Sequence, residues 1–384
     1  MKKRITIKRQ RIRQDRSKWI WMSVILLVIV ASSFFIEGTI TGWVIKEGGL
    51  GNFDLIQTGS LFSTNNQDNN LSLQGNITPQ ATIISSCQNI NSEGDYILNK
   101  NVTSTGTCII IGALGAIPNV NLDCRGHKIT YGTDRSGGYG IEDTMGNSGV
   151  IIQNCTIVEG DIGTEQHGIL TSSDNSFTLL ESTITTIGTR SYGIKVLDES
   201  DVGLTGNVIG TSGEGAHNIY IGNSVDPLVQ YNNLSSSDKN SQGIYITNSS
   251  RPSSMNNFKN NNIQTTGLHS WGILINESTD INLSGNDINN SRASSIWIEG
   301  TTSSHFIQEI DSTNLARGKR ILYNHSLSGT TVLENTNLTS TYGQIICADC
   351  SGVTYSNITV ANDGISFFST SDSTIENSSF NTIN

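Results

Sequence analysis

From Asn218 to Ile246 the apolar positions follow one phrase twice. Asn-Ile-Tyr-Ile-Gly-Asn-Ser (218–224) returns as Gly-Ile-Tyr-Ile-Thr-Asn-Ser (243–249), so that Ile244 answers Ile219. In each phrase the isoleucines alternate with tyrosine, so they share one face of a short strand while the ring takes the other. The leading isoleucine is traced through Ile141, Ile169, Ile194, Ile219, Ile244, Ile273, Ile296, Ile321, Ile345 and Ile365. A trailing marker runs through Ile129, Ile157, Ile184, Ile209, Leu234, Ile263, Ile288, Leu315, Leu338, Ile358 and Phe380. Both ladders climb in steps of a length typical of solenoid repeats. They keep phase through every change of loop length.

Strands this short bury nothing alone, and Gly, Asn and Ser punctuate them at turn spacing. Repeats of this period gain a core only by stacking on their neighbours. A strand that returns to the same face once per repeat stacks parallel on its predecessor, at about 4.8 Å per coil. The pattern therefore predicts a right-handed parallel β-helix of about eleven coils, roughly 50 Å long on that spacing. An up-and-down sandwich is the alternative, and it does not account for two ladders in phase.

The first residues read differently. Residues 1–18 hold nine Lys or Arg against Asp15, a net of +8; the whole chain is at −10, so the remainder carries −18. A basic tail can contact nucleic acid. This one abuts the uncharged run Trp19 to Ile36, which as a helix spans about 27 Å, close to a bilayer core. Trp19 and Trp21 suit the interface, and the positive tail stays on the cytoplasmic side. The expectation is a basic cytoplasmic tail (1–18), one transmembrane signal anchor (19–36), a flexible linker (37–80) and an extracellular β-helix (81–384) in a single-pass cell-membrane protein that does not bind nucleic acid. A cleaved signal peptide is the rival reading, with Ala31-Ser32-Ser33 as its cleavage site. The long basic region and the renewed apolar stretch Ile40 to Ile45 favour the anchor. Leu50 to Ile56 is the part of the linker able to hold local structure.

From Ala81 an opening unit carries Cys87, Gly94-Asp-Tyr-Ile-Leu, Gly106-Thr-Cys108-Ile-Ile-Ile and Val120-Asn-Leu-Asp-Cys-Arg-Gly-His-Lys-Ile129. Here the chain resembles the NosD-like proteins with parallel β-helix repeats. Gly318-Lys-Arg-Ile-Leu-Tyr323, Gly343-Gln-Ile-Ile and Cys350-Ser-Gly-Val-Thr are similar to later segments of that family. The resemblance covers 81–384. It implies the fold firmly and the function poorly, because the family name comes from an accessory protein of copper-enzyme maturation.

Six cysteines suit an exported protein. Cys87 and Cys108 are expected to pair and close the first coil. Cys124 and Cys155 sit three positions out of register on the trailing ladder, which argues against a bond. Cys347-x-x-Cys350 is half of a zinc arrangement at best and reads as stacked cysteines or a local disulfide. Asn-x-Ser/Thr recurs throughout. Asn154, Asn233 and Asn357, just before the trailing marker, are expected to stack inside turns.

Three functions compete. Catalysis on polysaccharide, by a lyase, hydrolase or epimerase, needs convergent carboxylates, with calcium under the lyase form. The candidates are Glu142, Asp143, Glu159 and Asp161, with Glu165 and His167 nearby; no other cofactor is implied. Copper handling needs clustered His, Met or Cys. No such cluster occurs, and His167 and His217 stand two coils apart, about 10 Å on the strand spacing. The third reading starts from two outward columns. The residue after each leading isoleucine includes Tyr220, Tyr245 and Trp297; two positions before it stand Tyr139, His167, Tyr192, His217 and Trp271. An aromatic face of Tyr192, His217, Tyr220, Tyr245, Trp271 and Trp297 suits non-catalytic recognition or adhesion, of carbohydrate first and of a cell-surface protein second. Aromatics that merely cover a sheet are the bland reading of the same columns. The sequence ends at Asn384 inside a coil, an open edge that invites an end-to-end partner or a continuation of the chain.

Overall fold

The computed structural model describes residues 43–47, 53–57, 80–135, 137–172, 176–250, 258–332 and 342–381. The chain divides into two compact units, Met1–Gly75 and Asn76–Asn384. In the first, within the stretch read as a linker, Trp43–Glu47 and Phe53–Gln57 pair antiparallel. The basic tail 1–18, the expected span 19–36 and the trailing marker Leu338 lie outside the described residues. Among the described residues no helix is long and apolar enough to cross a membrane.

The second unit is a parallel β-solenoid with three strands per coil. Its leading sheet has nine strands, from Gln88–Ile90 to Ile296–Glu299; the middle sheet has ten, from Thr82–Ile84 to Glu309–Ile310; the trailing sheet has twelve, from Val102–Thr103 to Gly364–Phe368. The leading ladder is in register rung by rung: Ile109, Ile141, Ile169, Ile194, Ile219, Ile244, Ile273 and Ile296. All eight are buried, and they form one continuous core with the trailing rungs from Ile129 to Ile288. The expected spine exists, over about ten turns rather than eleven.

The glycine before most leading isoleucines is required for space. A Cβ at Gly168, Gly193, Gly243 or Gly272 would overlap Cγ2 of the trailing Ile184, Ile209, Ile263 or Ile288. Where Asn218 takes this place, the trailing rung is Leu234, which has no γ2 methyl.

The turn from middle to trailing strand holds an asparagine column. Asn207, Asn232, Asn261, Asn286 and Asn314 are fully buried. Each backbone N–H and side-chain amide donates to the next Oδ1, at 2.9–3.2 Å. Each Nδ2 also reaches a carbonyl beneath, such as Leu204 from Asn232 and Val229 from Asn261. The stacked residue is thus not the one expected. Asn233 is exposed as the first strand residue, Asn357 is exposed, and Asn154 lies one position before the column. The column continues downward through Ser182 to Cys155.

Cys87–Cys108, Cys124–Cys155 and Cys347–Cys350 are all disulfides. The second corrects the register argument. Asp123 pairs with Gln153 in the middle sheet, so Cys124 stands only one position from Cys155 and their Cα atoms lie 4.8 Å apart. The two extra residues that offset the trailing ladder loop out at Arg125 and Gly126, both at positive φ.

Beyond Ile296 the regular repeat ends. Leu315–Ala316 turns back through Arg317 and Gly318, at positive φ, and Lys319–His325 runs antiparallel to it. Ala316, not Leu315, stacks on Ile288. Ile321, Ile345 and Ile365 therefore continue the trailing sheet, not the leading one, and a register shift after Arg320 sets Leu322, not Ile321, opposite Ile345. Val360, not Ile358, pairs with Phe380. A small separate core of Ile345, Cys347, Cys350, Val353, Tyr355, Ile358 and Val360 fills this last part. It closes the leading sheet with side chains. Gln344 accepts from the N–H of Ile296 and donates to its carbonyl, and Asp363 accepts from the N–H of Ser295 at 2.7 Å.

Candidate functional site

Because the rungs are in register, identical column positions fall directly above one another, and the two outward columns become one strip of rings. Tyr139, His167, Tyr192 and His217 stack in sequence with centroids 5.6, 4.8 and 4.9 Å apart and planes within 20°. Tyr220 stacks on Tyr192 at 5.3 Å. Tyr245 then turns, meeting His217 and Tyr220 edge-on at 87° and 78°. Above it Leu274 is buried on the Tyr245 rung. Trp271 and Trp297 stack at 5.5 Å, and Phe368 meets Trp297 edge-on at 5.0 Å. All six residues singled out in the sequence lie in this strip. Two members escape the sequence pattern. Phe368 arrives from the C-terminal part, far away along the chain. Lys195 belongs to an outward column but is no aromatic; its ammonium lies 5.6 Å above the Tyr192 ring. Burial lowers the Lys195 pKa, with Glu165 acting the other way.

The strip is less exposed than an outward column implies. His167, His217 and Gln242 are buried, while the tyrosines and tryptophans are half-buried. The imidazoles are structural: Nδ1 of His167 accepts from the N–H of Tyr192, and Nδ1 of His217 from that of Gln242, each at 3.1 Å. Burial pushes both imidazole pKa values down to about 3, so both rings are neutral at physiological pH. Burial also raises the tyrosine hydroxyls, that of Tyr192 to about 12.

The four candidate carboxylates do not converge. Glu142 points outward beside Thr144. Asp143 points inward and is buried at the leading-to-middle corner, where Asn147 Nδ2 donates to it at 2.6 Å. Desolvation raises its pKa to about 6. Glu159 is buried at a different corner, at the end of the trailing strand, and accepts from the N–H groups of Ile187 and Gly188 and from Ser191 Oγ. It caps the next turn. Asp161 sits on the surface in an ion pair with Arg135 at 2.9 Å. No acid–base pair shares a partner or a cleft here. Among the described residues no three His, Cys, Asp or Glu side chains are grouped to hold a metal ion.

The stacked coils, the buried asparagine column and the three disulfides define a parallel β-helix repeat protein that matures in an oxidising compartment, extracellular or periplasmic. Residues 123–301 match the family described as periplasmic copper-binding protein (NosD), and the repeat region is NosD-like. The match ends where the leading sheet ends, before the reversal at Arg317-Gly318. No curated protein and no solved structure matches the chain.

Proposed function

We propose that this protein is an exported recognition β-helix that binds carbohydrate along the aromatic strip of its leading sheet. The observation that carries the reading is the alignment of half-buried tyrosine and tryptophan rings along one side of successive coils. Half-buried tyrosine and tryptophan rings, with Lys195 among them and buried imidazoles between, run along the solenoid axis and are interrupted once, at Leu274. Half-buried Tyr and Trp offer an apolar ring and a polar tip together, the combination that sugars exploit. In this reading residues 19–36 anchor the domain in the membrane, residues 1–18 stay inside, and residues 37–80 separate anchor from solenoid. The separation of Asp143 from Glu159, each held by its own donors, favours binding over hydrolysis or elimination.

The test is a polysaccharide array probed with the wild-type chain and with Tyr245→Ala combined with Trp297→Ala. Retention is expected to vanish in the double variant while its far-ultraviolet spectrum stays β-rich. Undiminished retention of a folded double variant removes the strip as the binding surface.

A further inference from the structure

The trailing sheet, a different sheet of each coil from the one that carries the aromatic columns, has a different kind of surface. Its outward row reads Thr185, Gly210, Ser235 and Gln264 on four successive rungs. Gly210 lacks a side chain between two hydroxyl-bearing neighbours, and the gap opens a groove of about 360 Å³. Ser212, Ser237 and Thr266 line one side of it. No charged and no aromatic residue is among its lining.

The floor of the groove is rigid. Thr186, Thr211 and Ser236 are buried, and each donates its hydroxyl hydrogen inward, to the carbonyls of Ser191, Ala216 and Ser241. Asn218, fully buried, braces the floor from beneath: its Nδ2 reaches Thr211 Oγ1 at 3.2 Å and the Ser235 carbonyl at 2.7 Å. By contrast Thr185, Ser235 and Gln264 are exposed.

We infer that this groove is a second binding site, for an unbranched neutral polysaccharide lying along the solenoid axis. The polar groups recur at the rung spacing of about 4.8 Å, close to one glycosyl unit. Hydroxyl and amide side chains exchange hydrogen bonds with sugar hydroxyls one for one. The chain outside the basic tail carries −18, and the groove has no cation, so a polyanion is disfavoured. The site is independent of the aromatic strip and does not rest on it.

Gly210 supplies a clean perturbation. A Cβ there meets only Ser235 Oγ, at 3.5 Å, so a longer side chain fills the groove without straining the sheet. Detergent-solubilised full-length protein is run by affinity electrophoresis through gels containing a neutral glucan, mannan or xylan, with polygalacturonate alongside. At least one neutral polymer is expected to retard the wild type. Gly210→Gln should weaken that retardation at least about fivefold, the scale of one lost hydrogen bond, with an unchanged melting transition. Failure of every neutral polymer to retard the wild type, retardation by polygalacturonate alone, or equal retardation of Gly210→Gln overturns the inference. Running the Tyr245→Ala/Trp297→Ala variant in parallel separates the two sites. Retardation lost there but kept in Gly210→Gln leaves the strip standing and refutes the groove; the reverse pattern does the opposite.

Discussion

Substituting Gly243 by alanine tests whether the leading and trailing ladders are packed against each other as tightly as the geometry states. The backbone at Gly243 lies outside the left-handed region, so the residue is glycine for room, not for conformation. An added methyl would overlap Cγ2 of Ile263 and stand 2.7 Å from the carbonyl oxygen of Gly272. The isoleucine belongs to a fully buried rung and the carbonyl to the next coil, so neither yields cheaply. Overpacking of this kind costs about 1–3 kcal/mol, and a backbone obstacle places Gly243→Ala near the upper end. Replacing glycine by alanine where the backbone suits both returns roughly 0.4–1 kcal/mol by restricting the unfolded chain, leaving a net loss of about 2 kcal/mol. Ile263→Leu removes the γ2 methyl and by itself costs less than about 1.5 kcal/mol. Combined with Gly243→Ala it should recover about 1 kcal/mol relative to additivity, because Asn218 above Leu234 is this same pairing in the native chain. Urea unfolding followed by tryptophan fluorescence measures all three variants. A Gly243→Ala protein within about 0.5 kcal/mol of wild type, or a double variant that is merely additive, refutes the packing argument.

Further tests address other parts of the coil. Asn261→Ala removes the acceptor of the Asn232 backbone N–H and of one of its two Nδ2 hydrogens, together with the side-chain donor to the Val229 carbonyl, and should cost about 2–3 kcal/mol in the same assay. Replacing Cys124 and Cys155 by serine opens a link spanning 31 residues and should cost about 3 kcal/mol, visible as a lowered melting temperature only under non-reducing conditions. Asp143 has its pKa raised from 3.8 to about 6, so the folded state holds the extra proton; stability from this group is complete below about pH 4 and lost as the pH rises through 6. Asp143→Asn should abolish that decline and be more stable than wild type at pH 7 by on the order of 2–3 kcal/mol, while parallel pH–stability curves would contradict the assignment.

The regular coils are legible in the sequence because one residue type marks each rung. Isoleucine at Ile141 through Ile296 survives loops of changing length, and its alternation with Glu142, Lys195 or Tyr245 states which side faces the core. The same signal misleads beyond Ile296. Spacing carries no direction, so a reversal at Arg317-Gly318 that restores a near-normal interval to Ile321 looks like one more rung. The asparagine column is displaced by one residue for a related reason. In Asn232-Asn233 the outer residue carries the Asn-x-Ser signature and the inner one carries the hydrogen bonds. Cys124 and Cys155 look unpaired when register is counted from the trailing strand, on the far side of the looped-out Arg125-Gly126. The aromatic strip is readable from its two columns. The burial of His167 and His217 is not, since a column says where Cβ points and not how deeply its neighbours cover it.

Stacking changes what the strip can offer. In a parallel solenoid the rungs repeat along the axis at nearly the thickness that two packed rings require, so equivalent aromatics settle face to face and use their faces on one another. Tyr139, His167, Tyr192, His217 and Tyr220 do this, with interplanar angles from 8° to 20°. Such rings present edges and hydroxyls outward; they stiffen the sheet and supply hydrogen bonds. A sugar needs a free ring face, and that is available only where the stacking is broken. It breaks at Tyr245, turned nearly perpendicular to both its neighbours, beneath the buried Leu274 that separates it from the Trp271–Trp297 pair. Leu274 interrupts the aromatic column at one rung, so that an aliphatic side chain and not a stacked ring follows Tyr245. On the proposed reading, sugar binding therefore centres on the Tyr245 rung, with the stacked tyrosines and histidines acting as its rigid support.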